Sequence, residues 1–116
     1  MEIIKASANL TPKETYKLTM SPAAMKMKDV VGQRLEIAAY ALYQDEDKKN
    51  PGNFQKILSV QTETGEVYAT NSPTFIDEFV KMIEFFEQYG ETVAAIDVFN
   101  GTSKGGREFI SCTIAD

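Results

Sequence analysis

The stretch FQKILSVQTETGEVYATNSPTFIDEFVKMIEFFEQYG, Phe54 to Gly90, decides the fold. Phe54 to Gln61 reads as a strand, and Glu66 to Thr70 reads as another. Thr62-Glu63-Thr64-Gly65 turns the chain between them, and so short a connection predicts an antiparallel hairpin. A helix follows over residues 73 to 89. Ser72 can accept from free amides at its start and Pro73 suits the first helical position, although Thr74 with Asp77 offers a capping box as an alternative. Phe75, Ile76, Phe79, Val80, Met82, Ile83 and Phe86 recur at helical spacing. Asp77, Glu78, Lys81, Glu84 and Glu87 fall between them on the wet face, and Gly90 supplies a stop. Phe79, Val80, Ile83 and Phe86 are expected to be buried together.

Upstream, Leu35 to Tyr43 is a strand with apolar residues on both faces, so it is expected to be central. Asp45 to Asn53, marked by charges, Pro51 and Gly52, is a loop. Downstream, Ala94 to Phe99 and Arg107 to Ala115 are strands joined by Asn100-Gly101-Thr102-Ser103-Lys104-Gly105-Gly106, a second hairpin. Pro12 and Pro22 punctuate the first third, which is read as short strands and loops. Tyr16-Lys17-Leu18-Thr19-Met20 alternates like an edge strand, and residues 21 to 32 hold at most a weak helical turn.

The order is three strands, a helix and two strands, preceded by an N-terminal strand or arm. This mainly β connectivity is that of an OB-fold-like, five-stranded Greek-key barrel with one helix between strands three and four. Closure of the barrel would remove its exposed edges. An α+β open sheet with one covering helix also fits the string of elements. With 116 residues, 43% of them hydrophobic, the chain suits one domain, residues 1–116, with an N-terminal arm or strand over 1–34 and a barrel core over 35–115.

Histidine and tryptophan are absent and Cys112 is the single cysteine. That excludes a histidine-dependent triad, a Cys/His zinc site and an internal disulfide. Cys112 is read as a small buried residue of the last strand. Asp45-Glu46-Asp47 lacks the spacing and turn glycine of a calcium loop. The Gly101–Gly106 loop does not match G-x-x-x-x-G-K-[ST] and opens no helix, so nucleotide hydrolysis is rejected. The expectation is a non-enzyme without metal or cofactor. No apolar run approaches a membrane span, and Met1 to Lys5 leads into polar sequence without a signal peptide, so the default compartment is the cytosol.

Net charge is −5 with a pI near 4.8, unlike the basic balance common in nucleic-acid binders. The distribution differs from the sum. Residues 1–34 carry Lys5, Lys13, Lys17, Lys26, Lys28 and Arg34 against Glu2, Glu14 and Asp29. In an OB-fold the loops after strands one and four border the ligand cleft. Here they carry Lys48 and Lys49 on one side, Lys104 and Arg107 on the other, with Lys56 following in strand two. The glycines of the second loop suit close backbone approach to an anion, or simply a hairpin turn. Tyr40 and Tyr43, three apart in a strand, should face opposite sides, so at least one should leave the core. Tyr68, flanked by Glu66 and Thr70, reads as an exposed stacking platform, and Phe54 opens the second strand. Aromatics beside cations suit single-stranded nucleic acid, because every base has a π-face.

Gly65-Glu66-Val67-Tyr68-Ala69-Thr70-Asn71-Ser72 with the acidic Phe/Ile-rich helix, and Asn100-Gly101-Thr102-Ser103-Lys104-Gly105-Gly106-Arg107-Glu108-Phe109, resemble segments of small phage-encoded single-stranded DNA-binding proteins. The resemblance spans residues 33 to 115 as an order of elements. It implies an OB-fold, non-catalytic coating of replication or recombination intermediates, contacts with the proteins of those processes, and a host-cytoplasmic location. No long acidic recruiting tail follows, so recruitment by such a tail is not expected. A homo-oligomer is left open. The competing reading is a protein-interaction module, such as a phage inhibitor or assembly factor, which the acidic balance favours.

Overall fold

The computed structural model describes residues 1–116. The elements run β1 (Glu2–Ala6), α1 (Pro12–Thr19), β2 (Met25–Lys26), a 3-10 turn (Met27–Val30), β3 (Arg34–Glu46), β4 (Phe54–Thr62), β5 (Val67–Thr70), α2 (Pro73–Glu87), β6 (Ala95–Thr102) and β7 (Glu108–Ile114). The fold is mainly β: seven strands curl into a half-barrel in the order β2-β5-β4-β3-β6-β7, with β1 added beside β3.

The organising strand is β3. Along one edge it pairs antiparallel with β4, from Ile37↔Thr62 to Glu46↔Phe54. Along the other it pairs with β6 at its start, Arg34↔Asp97 to Glu36↔Ala95, and with β1 at its end, Ala6↔Ala41 to Glu2↔Gln44. Arg34 Nε donates to Asp97 Oδ1 at 3.0 Å across the first of these pairs. β4 returns as β5, Val60 opposite Tyr68, and β6 returns as β7, Val98 opposite Cys112. The strand count exceeds the five expected because the first third contributes β1 and β2. The sheet ends at β2 and β7 with no pairing between them, so the expected full closure is replaced by an open seam.

The α2 helix is the one expected, ended by Gln88 rather than Tyr89. Ser72 Oγ accepts from Phe75 N–H, which decides the cap against the Thr74–Asp77 alternative. Phe75, Ile76, Phe79 and Ile83 are buried, while Val80 and Phe86 are half-buried. They pack on Tyr40, Leu42, Leu58, Val60, Ile96, Val98 and Cys112, the larger core. The opposite face of the sheet holds a smaller core of Leu18, Ala39, Ala41 and Val67.

Leu18 belongs to a helix. The expected edge strand at Tyr16–Met20 is replaced by α1, whose start is a complete capping box. Thr11 Oγ1 accepts from Glu14 N–H at 3.1 Å, and Glu14 Oε1 accepts from Thr11 N–H at 3.1 Å. Pro12 stands at the first helical position, where its missing N–H costs nothing. These reciprocal bonds satisfy two orphan donors, and the helix they start covers the alanine-lined face of β3.

Candidate nucleic-acid interface

The open seam is a cleft of about 900 Å³. One wall is the β2 segment and the turn after it, with Lys26, Met27 and Lys28. The floor is the start of β4 and the end of β5, with Gln55, Ile57, Ala69 and Thr70. Asn71 to Thr74 lead from it into α2. The other wall is the β6–β7 hairpin, with Asn100, Arg107, Glu108, Phe109 and Ile110. Three cations therefore face one carboxylate, Glu108, in a protein whose net charge is −5.

Those cations have no partner within the chain. Its ion pairs are Lys5–Glu87, Arg34–Asp97 and Lys81–Glu78. Lys26, Lys28 and Arg107 are exposed and take part in none of them. Hydroxyl and amide groups stand nearby: Thr70, Ser72, Thr74, Asn71 and Gln55, with Asn71 Nδ2 donating to Gln55 Oε1 at 3.2 Å. Backbone adds to this set. Ala115 N–H donates to Ala95 O and Ser103 N–H to Arg107 O, which sets the phase of the β6–β7 ladder. Antiparallel alternation then turns the N–H and C=O of Glu108 and Ile110 away from β6, along the open edge of β7.

One aromatic ring lines the cleft. Phe109 lies opposite Gly101 in the hairpin register. A Cβ at residue 101 would overlap the Phe109 ring, so only glycine lets the ring lie flat across the neighbouring strand. One face of the half-buried ring is therefore backed by backbone. The hairpin loop is tied by Gly106 N–H to Ser103 O at 2.9 Å and by Arg107 N–H to Ser103 Oγ at 3.2 Å. Gly106 has φ +81°, a conformation that glycine adopts without steric cost.

The candidate residues read from sequence divide around this site. Arg107 lines the cleft and Lys104 is exposed in the same loop. Lys48 and Lys49 are exposed on the β3–β4 loop, outside the cleft lining. That loop is organised by Asp47, which accepts from Lys49 N–H at 2.9 Å and from Asn50 Nδ2 at 3.2 Å. These bonds, the Lys49 amide first, hold the Asp47 carboxyl below its usual range. Lys56 and Phe54 are exposed on β4, but they alternate with the cleft residues Gln55 and Ile57, which turns them to the other face.

Three tyrosines require correction. Tyr40 and Tyr43 do face opposite sides of β3, but both are buried, at 8% and 6% exposure. Tyr40 meets Phe79 edge to face at a centroid distance of 5.3 Å, and Tyr43 lies between Ile3 of β1 and Ile57 of β4. Both sheet faces are covered, so an outward tyrosine still ends inside. Tyr68 is half-buried against the larger core, because β2 pairs beside it, Met25↔Tyr68, and closes the edge that would have exposed it.

Sequence reasoning misses Lys26, Lys28, Gln55, Asn71, Asn100 and Phe109 as members of the site. The one signal available to it is the cation surplus of residues 1–34, which carries no location. No group of three or more carboxylate or thiol side chains is drawn together in a metal-binding arrangement. No helix is long and apolar enough to cross a membrane. No family model, characterised protein or solved structure matches this chain.

Proposed function

We propose that the protein is a non-catalytic, sequence-tolerant binder of single-stranded DNA that uses an OB-like half-barrel. The observation that carries this reading is the cleft itself. An acidic protein gathers three unpaired cations, a sheet edge and a backed aromatic ring in one groove. The cations would neutralise phosphates and Phe109 would stack on a base, which together define single-strand binding without base readout. The OB-like reading is supported by three antiparallel strands, a helix and a hairpin in chain order, β3 to β7, and by the position of the β6–β7 loop at the groove. In OB-folds the corresponding loop borders the ligand cleft. The role that fits is coating and protecting single strands during replication or recombination.

The test is anisotropy of labelled oligo-dT across a salt series. Neutralising Lys26, Lys28 and Arg107 together with glutamine should lower the log–log salt slope by ~2, at ~0.7 for each phosphate no longer neutralised. Lys48→Gln with Lys49→Gln, outside the cleft, should lower it less. Phe109→Ala should weaken binding by ~1–3 kcal/mol at every salt concentration while leaving the slope intact. A triple variant with unchanged slope would remove the cleft from the reading. Wild-type protein that fails to bind at low salt would leave the interaction-module reading, which exposed Phe85 on the acidic α2 helix and exposed Tyr89 just beyond it favour.

A further inference from the structure

The N-terminal strand β1 has one strand partner, β3, and its other edge is open. An open edge presents unpaired backbone groups, and proteins usually guard it with lysine, proline or short length. This edge is guarded by short length and a bulge, not by a free lysine or a proline. Met1, Ile3 and Ile4 are 53%, 41% and 43% exposed. The strand contains no proline, and its one lysine is drawn away, because Lys5 Nζ pairs with Glu87 Oε1 at 2.8 Å. The remaining irregularity is a bulge between Ile3 and Lys5.

That bulge gives the strand a particular symmetry. Glu2 sits opposite Gln44 and Lys5 opposite Leu42, so these two residues share one face of the sheet despite lying three apart. Read antiparallel against itself, Glu2-Ile3-Ile4-Lys5 sets Glu2 opposite Lys5 and Ile3 opposite Ile4. Opposite charges and β-branched pairs facing each other are the favourable cross-strand combinations. A partner's Glu2 would reach Lys5 on the face where Glu87 already holds it.

We propose that two copies of this chain associate through antiparallel pairing of their β1 edges, with a two-fold axis between Ile3 and Ile4. A strand edge is smaller than the ~800 Å² per partner of a standard interface, so the dimer is a weak, concentration-dependent one. The Lys5–Glu87 pair holds β1 in place for this pairing by tying it to the last turn of α2. The contact is isologous and therefore closed, which yields a dimer rather than a filament.

The experiment is sedimentation of the full chain over a concentration series without nucleic acid, so its outcome is separate from the single-strand reading. The expected wild-type mass is twice the 12.9 kDa chain. Ile3→Lys with Ile4→Lys, both on exposed positions, should sediment as a monomer with unchanged far-UV circular dichroism. A second measurement covers a misfolded variant. Ile3→Cys chains mixed with Ile4→Cys chains should form disulfide-linked dimers under mild oxidation faster than either alone, since directly opposed residues lie within bridging distance. Buried Cys112 does not compete. A wild-type monomer at ~100 μM, a lysine variant that remains a dimer, or cross-linking no faster in the mixture would each overturn the proposal.

Discussion

Replacing Gly101 with alanine separates two opposed effects. Gly101 has no positive φ, so alanine is compatible with its backbone. On entropy alone Gly101→Ala should stabilise the strand by ~0.5–1 kcal/mol. The added Cβ, however, would enter the space of the Phe109 ring. Overpacking costs ~1–3 kcal/mol, or else the ring swings into the cleft and gives up its partial burial, ~1 kcal/mol for half a Phe. The clash outweighs the gain narrowly, and the variant should be ~0–2.5 kcal/mol less stable than wild type. In a Phe109→Ala background the clash vanishes and the same change should stabilise. The sign therefore reverses across the cycle, with a coupling of ~1–3 kcal/mol. Urea unfolding of the four proteins, followed by circular dichroism, measures it. If Gly101→Ala stabilised both backgrounds alike, the Phe109 ring would not lie on Gly101, and the stacking role built on that seat would fail with it.

Other perturbations probe the cores, the first helix and the thiol. Phe79→Ala should cost ~3–5 kcal/mol as a core cavity, and Phe79→Asp should leave the domain unfolded at equilibrium, because it buries an unpaired charge; a cooperative unfolding transition at wild-type midpoint would contradict the position of α2. Thr11→Ala removes the reciprocal cap of α1 and should cost ~1 kcal/mol in the same assay, whereas an edge strand at Tyr16–Met20 would be indifferent to it. Burial, with a smaller contribution from Glu78, pushes the Cys112 thiol up to about 12. The native state therefore keeps its proton where the unfolded chain, near ~8.5, releases it. Stability should fall as pH rises above ~8.5, and a thiol reagent at pH ~8 should label Cys112 only after denaturation.

What is legible in the sequence is whatever a local pattern encodes. The α2 helix announces itself by Ser72-Pro73 and by apolar residues at helical spacing, and each hairpin by a glycine-bearing turn between alternating runs. At α1 two local signals conflict. Tyr16-Lys17-Leu18-Thr19-Met20 alternates, but Thr11-Pro12-Lys13-Glu14 is a capping box with proline in its best place. Proline breaks a helix from within and starts one from its first turn, and here its position makes it a starter. The two-residue strand β2 has no period to detect, and Tyr40 and Tyr43 depend on how many faces of β3 are covered, which no single strand records.

The site is legible only in halves, for a related reason. Arg107 and the glycines of its loop can be read as a ligand-facing hairpin once a barrel is assumed. Lys26 and Lys28 cannot, since nothing in Met25-Lys26-Met27-Lys28 signals a partner some eighty residues later. They reach the cleft because Met25 and Lys26 pair parallel to Tyr68 and Ala69, which sets the first third of the chain against β5. That one short ladder does two things. It caps the edge of β5, which half-buries Tyr68 and removes it as an open platform. It also stands where closure onto β7 would occur, which leaves the seam open and puts two cations on its rim. The residues read as an N-terminal arm or strand therefore supply one wall of the groove. Removing residues 1–30 should expose the β5 edge and Tyr68 while losing both lysines, so a truncated chain should bind oligo-dT with a lower salt slope and aggregate through its bared strand.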